Sequence, residues 1–111
     1  MPKATNKIAN IVKSYLLVLE KKGVPLQKAY LFGSQTKGTA RPYSDIDLIV
    51  VSPVFAGMPQ WKRWEILGDA LAEVMEPIDV RGYAPDEISQ GQKDKASFIY
   101  EVLTEPETIT I

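Results

Sequence analysis

The chain has 111 residues, 45% hydrophobic and 24% charged, and its 13 basic and 14 acidic side chains leave a net charge of −1. Such a balance supplies no global field to recruit nucleic acid or an anionic membrane, and the length suits a single domain spanning 1–111. Cysteine and histidine are both absent, which removes disulfides, thiolate chemistry, the commonest general base and the usual zinc ligand. Any metal must then be held by oxygen, which points to magnesium, manganese or calcium.

The N-terminal MPKATNKIAN has no apolar stretch of signal-peptide length, and no run approaches membrane-spanning length, so a cytoplasmic protein is expected. Ile8, Ile11, Val12, Tyr15, Leu16 and Leu19 recur at helical spacing. They predict a helix from a Thr5 cap to about Lys22, closed by Gly23 and Pro25. KAYLF (28–32) predicts a short strand running into Gly33 and Ser34. Residues 35–43 are polar, with Gly38 and Pro42 as turn signals, and read as a loop or one short helical turn. SDIDLIVVS (44–52) predicts the second strand, ended by Pro53.

Pro59 is placed as the first residue of a helix with an apolar stripe of Trp61, Trp64, Leu67, Leu71, Val74 and Met75. Core packing is the expectation for both tryptophans, ahead of base stacking or partner contact. IDVRGY (78–83) predicts a third strand carrying Asp79. Pro85 and Asp86 open a broken helical region, a firmer helix covers about Lys95 to Leu103, and the C-terminal TITI reads as a short edge strand. This order predicts an α/β domain with a small mixed sheet and flanking helices.

Asp45 and Asp47 stand one residue apart at the head of the apolar run Leu48-Ile49-Val50-Val51. Strand side chains alternate, so the two carboxylates project from one face. Held together they repel and lose hydration unless a cation or hydrogen-bond donors fill the space between them. Gly33 and Ser34, separated from Asp45 by ten residues, offer close backbone approach, N–H groups and a hydroxyl suited to phosphate oxygens. Each signal is weak alone; the combination of strand, Gly-Ser, ten residues and Asp-x-Asp is specific.

The stretch FGSQTKGTARPYSDIDLIV, together with IDV at 78–80, resembles the nucleotidyltransferase superfamily typified by DNA polymerase β and kanamycin nucleotidyltransferase. It is most similar to the minimal nucleotidyltransferases (MNT), which often pair with HEPN-domain proteins in toxin–antitoxin modules. The resemblance covers roughly residues 28–103 and implies a polymerase β-like nucleotidyltransferase fold. It implies that Gly33 and Ser34 hold a nucleoside triphosphate, that Asp45 and Asp47 bind two magnesium ions, and that Asp79 completes the triad. Phosphoryl-type transfer asks chiefly for positioning and charge neutralisation, which two ions ~4 Å apart supply, and Asp79 is the leading proton acceptor in a chain without histidine. Many members carry arginine in the loop after Gly-Ser, where this chain has Gln35-Thr36-Lys37. Lys37 or Arg41 could contact phosphate, lysine as a point charge rather than a bidentate fork, or both could be solvated loop charges. Asp79 could instead pair with Arg81, and Asp45 could cap a turn.

The expected activity is therefore transfer of a nucleoside monophosphate, AMP from ATP, to an acceptor hydroxyl on a HEPN toxin, with this chain as antitoxin. The alternatives are a binding-only antitoxin with vestigial catalysis, and transfer to a small molecule. A partner surface is expected on the C-terminal helix, where Phe98, Ile99 and Val102 cannot all face one small core. A homo-oligomer is left open, and neither membrane nor direct nucleic-acid binding is expected.

Overall fold

The computed structural model describes residues 6–33 and 46–111. Helix α1 (Asn6–Lys21) is followed by strand β1 (Lys28–Phe32), strand β2 (Ile46–Val51) and a 3-10 turn (Pro53–Phe55). Helix α2 (Gln60–Val74), strand β3 (Ile78–Tyr83), helices α3 (Pro85–Lys93) and α4 (Phe98–Thr104), and strand β4 (Ile109–Thr110) complete the order. The four strands form one mixed sheet in the order β3-β2-β1-β4. β2 pairs parallel with β3, and β1 pairs antiparallel with both β2 and β4. The predicted α/β class and small mixed sheet are what the chain adopts.

Strand alternation divides the sheet into two faces, each covered by helices. Ala29, Leu31, Ile46, Leu48, Val50 and Ile78 join Val12, Tyr15 and Leu19 of α1 and Leu67 and Ala70 of α2 in the larger core. Tyr30, Ile49 and Val51 lie on the other face, against Ile88 of α3 and Ile99 and Val102 of α4. β2 is thus apolar on both sides beyond Asp47, as a central strand covered on both faces must be. The division also corrects one expectation. Ile99 and Val102 are buried and Phe98 partly so, because the sheet offers a second apolar face; the anticipated partner patch on α4 is largely consumed by the fold.

α1 stops where the sequence says it should. The Val24 N–H donates to the Leu19 carbonyl and the Gly23 N–H to that of Glu20, both at 3.1 Å, with Gly23 at φ +91°. This is a Schellman closure, and Val24 packs with Leu19 inside the same core. The Thr5 cap lies outside the described residues. Pro59 is the residue before α2 rather than its first, with extended backbone at ψ 154°.

α2 holds the clearest departure from the predicted packing. Arg63, Leu67 and Ala70 are its buried residues, with Ile66, Leu71 and Val74 packed partly against the core. Trp61 and Trp64 are each 64% exposed, and Met75, in left-handed conformation at the helix end, is 85% exposed. Leu67, Leu71 and Val74 of the predicted stripe do meet the core, but the helix is apolar over most of its circumference, so spacing alone extended the stripe to Trp61, Trp64 and Met75 on the solvent side. Similarly, Pro85–Lys93 is a regular helix rather than a broken one. α4 begins at Phe98, where Ser97 Oγ accepts from the Tyr100 N–H at 3.0 Å.

Candidate active site

The residues of interest converge at one end of the sheet, where β2 and β3 begin and β1 ends. Asp47 is paired in register with Asp79 on one side and with Phe32 on the other. Neighbouring strands lie about 4.8 Å apart, so the two aspartates project as adjacent side chains from one face. That face is the one bearing Ile49 and Val51, covered further along by α3 and α4. Asp47 is half-buried and Asp79 exposed. Asp79 sits on the outermost strand, which leaves its carboxylate open to solvent and to an incoming group.

Gly33 fixes how close β1 comes to this pair. It ends β1 at φ +80°, and a Cβ built on it would overlap Asp47 Oδ2, with Cγ at 3.0 Å. Two requirements coincide: a left-handed turn, and a backbone with no side chain under the carboxylate. The spacing in the sequence flagged Gly33 for approach to a ligand. The structure adds that it first admits Asp47.

An aromatic platform flanks the carboxylates. Phe98 meets Phe32 edge-on, with ring centroids 5.6 Å apart at 72°, and the Arg81 guanidinium carbon lies 4.4 Å from the Phe98 centroid. Arg81 follows Asp79 by two residues on the same strand and face, about 6.6 Å along it. The alternative pairing of Asp79 with Arg81 is not formed among the described residues; the cation rests on the ring instead, a contact worth ~0.5–1 kcal/mol at an exposed site. A cleft of about 130 Å³, lined by Phe32, Gly33, Phe98, Glu101, Val102, Glu105 and Thr108, opens beside this platform. A larger hollow of about 770 Å³, bounded by Ile11 and Val18 of α1 and Val74 of α2, lies on the opposite face of the sheet.

Arg63, which its charge hid from any apolar pattern, braces the crossover from β2 to β3. It is 3% exposed and donates to the carbonyls of Met58 (2.9 Å), Gly82 (3.1 Å) and Phe55 (2.8 Å). Its two terminal nitrogens also grip the Glu87 carboxylate at 2.7 and 3.0 Å. Glu87 accepts as well from the Ala84 N–H at 2.8 Å. The Arg63 hydrogen bonds hold the Glu87 carboxyl below the usual glutamate range, outweighing the opposing effect of burial. Tyr15, whose hydroxyl donates to the Leu67 carbonyl at 2.8 Å, is pushed upward by burial. Both interactions fix the scaffold that carries β2 and β3.

Ser34, Lys37, Arg41 and Asp45 lie outside the described residues. Of the expected site, the structure therefore brings Gly33, Asp47 and Asp79 together. Among the described residues no cluster of three or more acids could hold a metal ion, and no helix is long and apolar enough to cross a membrane.

Comparison with known proteins bears on the fold and the family. A candidate nucleotidyltransferase from Sulfolobus solfataricus superposes with a TM-score of 0.63 at 19% identity, covering 76% of this chain and 73% of that one. A toxin–antitoxin structure with AMP-PNP aligns at 27% identity with a TM-score of 0.46, covering 63% of this chain and 56% of that one. No curated protein matches the sequence. The family model for the nucleotidyltransferase domain matches residues 6–103, from the start of α1 to the last turn of α4. The chain belongs to the nucleotidyltransferase domain family.

Proposed function

We propose that this chain transfers AMP from ATP to a hydroxyl of a HEPN-domain toxin and thereby acts as its antitoxin. The observation that carries the reading is the register of Asp47 with Asp79, two carboxylates side by side at the end of the sheet where Gly33 turns the chain. An all-oxygen donor set of this kind fits magnesium, and Asp45, two residues before Asp47, supplies the third carboxylate. Asp45, Asp47 and Asp79 would hold the ions, which neutralise phosphate charge and acidify the attacking hydroxyl.

The remaining roles belong to the chain's own groups. The Gly33 backbone and Ser34 hydroxyl receive phosphate oxygens, with Lys37 adding a positive charge. Asp79, exposed on the outer strand, takes the proton from the acceptor hydroxyl, and pyrophosphate leaves. Arg81, held on the Phe98 ring and two residues from Asp79 on the same strand, would meet a phosphate oxygen as a bidentate donor. It offers this family member a guanidinium where the loop after Gly-Ser carries lysine.

The test is incubation with labelled ATP and magnesium, with and without the HEPN protein, followed by intact mass measurement. One added nucleotide on the partner, lost with chelator and with Asp79→Asn, is the expected result. A stable complex with no nucleotide transferred would instead establish the binding-only antitoxin.

A further inference from the structure

Two tryptophans on the open side of a helix ask for a cover. Trp61, Trp64, Gly68, Ala72 and Met75 of α2 fall within an arc of about 80° at 100° per residue. All five are exposed, and the arc lies to one side of the buried Arg63, Leu67 and Ala70. The charged residues Lys62, Glu65, Asp69 and Glu73 occupy the adjoining flank, with Glu65 bordering the arc next to Ala72. Lys22 of α1 pairs with Glu73 at 2.7 Å, so α1 lies along the charged flank. The tryptophan arc therefore faces away from α1. Contiguous apolar surface of this kind on a soluble domain marks an interaction site.

We infer that the tryptophan arc of α2 is covered by the same arc of a second copy, with the two helices antiparallel. The pattern is self-complementary. Nothing lies within 4 Å of the place a Cβ on Gly68 would occupy, so Gly68 is an open notch beside the Trp64 indole. The antiparallel register that seats Trp64 on Gly68 of the second copy also brings Trp61 to Ala72 of that copy. Each large side chain meets a small one, twice over by symmetry.

Charge selects the same direction. Lys62 stands in the first turn of α2, whereas Asp69 and Glu73 stand in its second half. Antiparallel packing brings Lys62 of one copy beside Asp69 of the other, and opposes the helix dipoles favourably. A parallel pair, with its two-fold along the helices, would put the two charged flanks on opposite sides of the interface, so that Lys62 of one copy meets no acid of the other. Burying the exposed parts of both tryptophans and Met75 on two copies removes roughly 1,000 Å² of surface, the lower bound for a specific interface. Area of this size does not by itself set the affinity, so the test spans a wide range of concentration.

Sedimentation from about 1 to about 500 µM should show monomer passing to dimer. Gly68→Gln supplies the decisive contrast. It should raise the melting temperature measured at low concentration, since the notch is open in the monomer and glycine is a poor helix former. It should also weaken dimerisation about tenfold or more by filling the notch. The chain has no native cysteine, so Glu65→Cys reports register: position 65 meets itself near the two-fold axis and should oxidise to a disulfide-linked dimer. Asp94→Cys, in the turn between α3 and α4, should not.

A chain that stays monomeric throughout overturns the inference. So does a dimer indifferent to Gly68→Gln, or one in which the Glu65→Cys variant does not cross-link. If the indoles become protected only when the HEPN protein is added, the arc belongs to that partner and the inference fails likewise.

Discussion

The Asp47 carboxylate occupies the space where a Cβ on Gly33 would stand. The residue proposed to cradle phosphate and a residue proposed to hold metal are thus in van der Waals contact. Any side chain at 33 must move the carboxylate or the turn.

Gly33→Ala should accordingly do two things. The left-handed backbone at φ +80° costs a non-glycine residue roughly 1–2 kcal/mol, and the displaced carboxylate should remove most transfer activity. Gly23→Ala is the matched control. It has φ +91° with nothing within 4 Å of its Cβ position, so it should lose similar stability and keep activity in the folded fraction. Denaturation curves with single-turnover rates compare the two. Equal activity in both variants would separate Gly33 from the site.

Asp45→Asn keeps the side-chain shape and removes one of the proposed charges. With chelator it should melt at or above the wild-type temperature, because like charges on one strand face repel in the absence of a cation. With magnesium–ATP it should lose most of the wild-type rise in melting temperature, since that rise follows from ligand binding to the folded state alone. Transfer should be abolished. A variant that melts markedly lower in chelator and still transfers nucleotide would mark Asp45 as a structural cap.

Arg81→Gln tests the cation on the aromatic platform. A hydrogen bond to a charged group contributes about 1.5–3 kcal/mol, so KM for ATP should rise roughly tenfold or more, with folding little changed. Arg81→Lys should recover only part of this, because an ammonium lacks the bidentate fork. Unchanged KM in both variants would leave Arg81 as a packing partner of Phe98.

Arg63 and Glu87 give a prediction in pH. The folded Glu87 carboxyl titrates below the ordinary glutamate value of 4.5. Its contribution is therefore complete above that value and is lost as pH falls through the lower, folded one. More than a third of the Glu87 side chain is exposed, so after solvent screening the contribution is about 1 kcal/mol. Glu87→Gln should lose that amount at neutral pH and flatten the acid limb of the stability curve. Arg63→Ala should cost more, about 3–5 kcal/mol, because it strands a carboxylate and the carbonyls of Phe55, Met58 and Gly82. Urea denaturation at neutral pH and below pH 4.5 measures both; equal losses in the two variants would contradict this ranking.

Much of the framework was written in local pattern. The continuous apolar run at 46–51 and the alternation that opens 78–83 marked two strands. Their alternation already put Asp47 and Asp79 each on a definite strand face. The α1 closure at Gly23 and Val24 followed from backbone chemistry that a few adjacent residues decide. Pairing decided the rest. Only the parallel register of β2 with β3 sets Asp47 beside Asp79, and no local signal carries a register between strands separated by a helix. α2 shows the limit most plainly: apolar residues fill two arcs of it, and which arc is buried depends on where the sheet and α1 lie. Arg63 was hidden for a related reason. A guanidinium is buried only where acceptors converge on it, and its acceptors come from the 3-10 turn, the approach to α2, β3 and α3. Residue identity determined what each segment could become; the meeting of distant segments decided which side chains face the core, the site and the solvent.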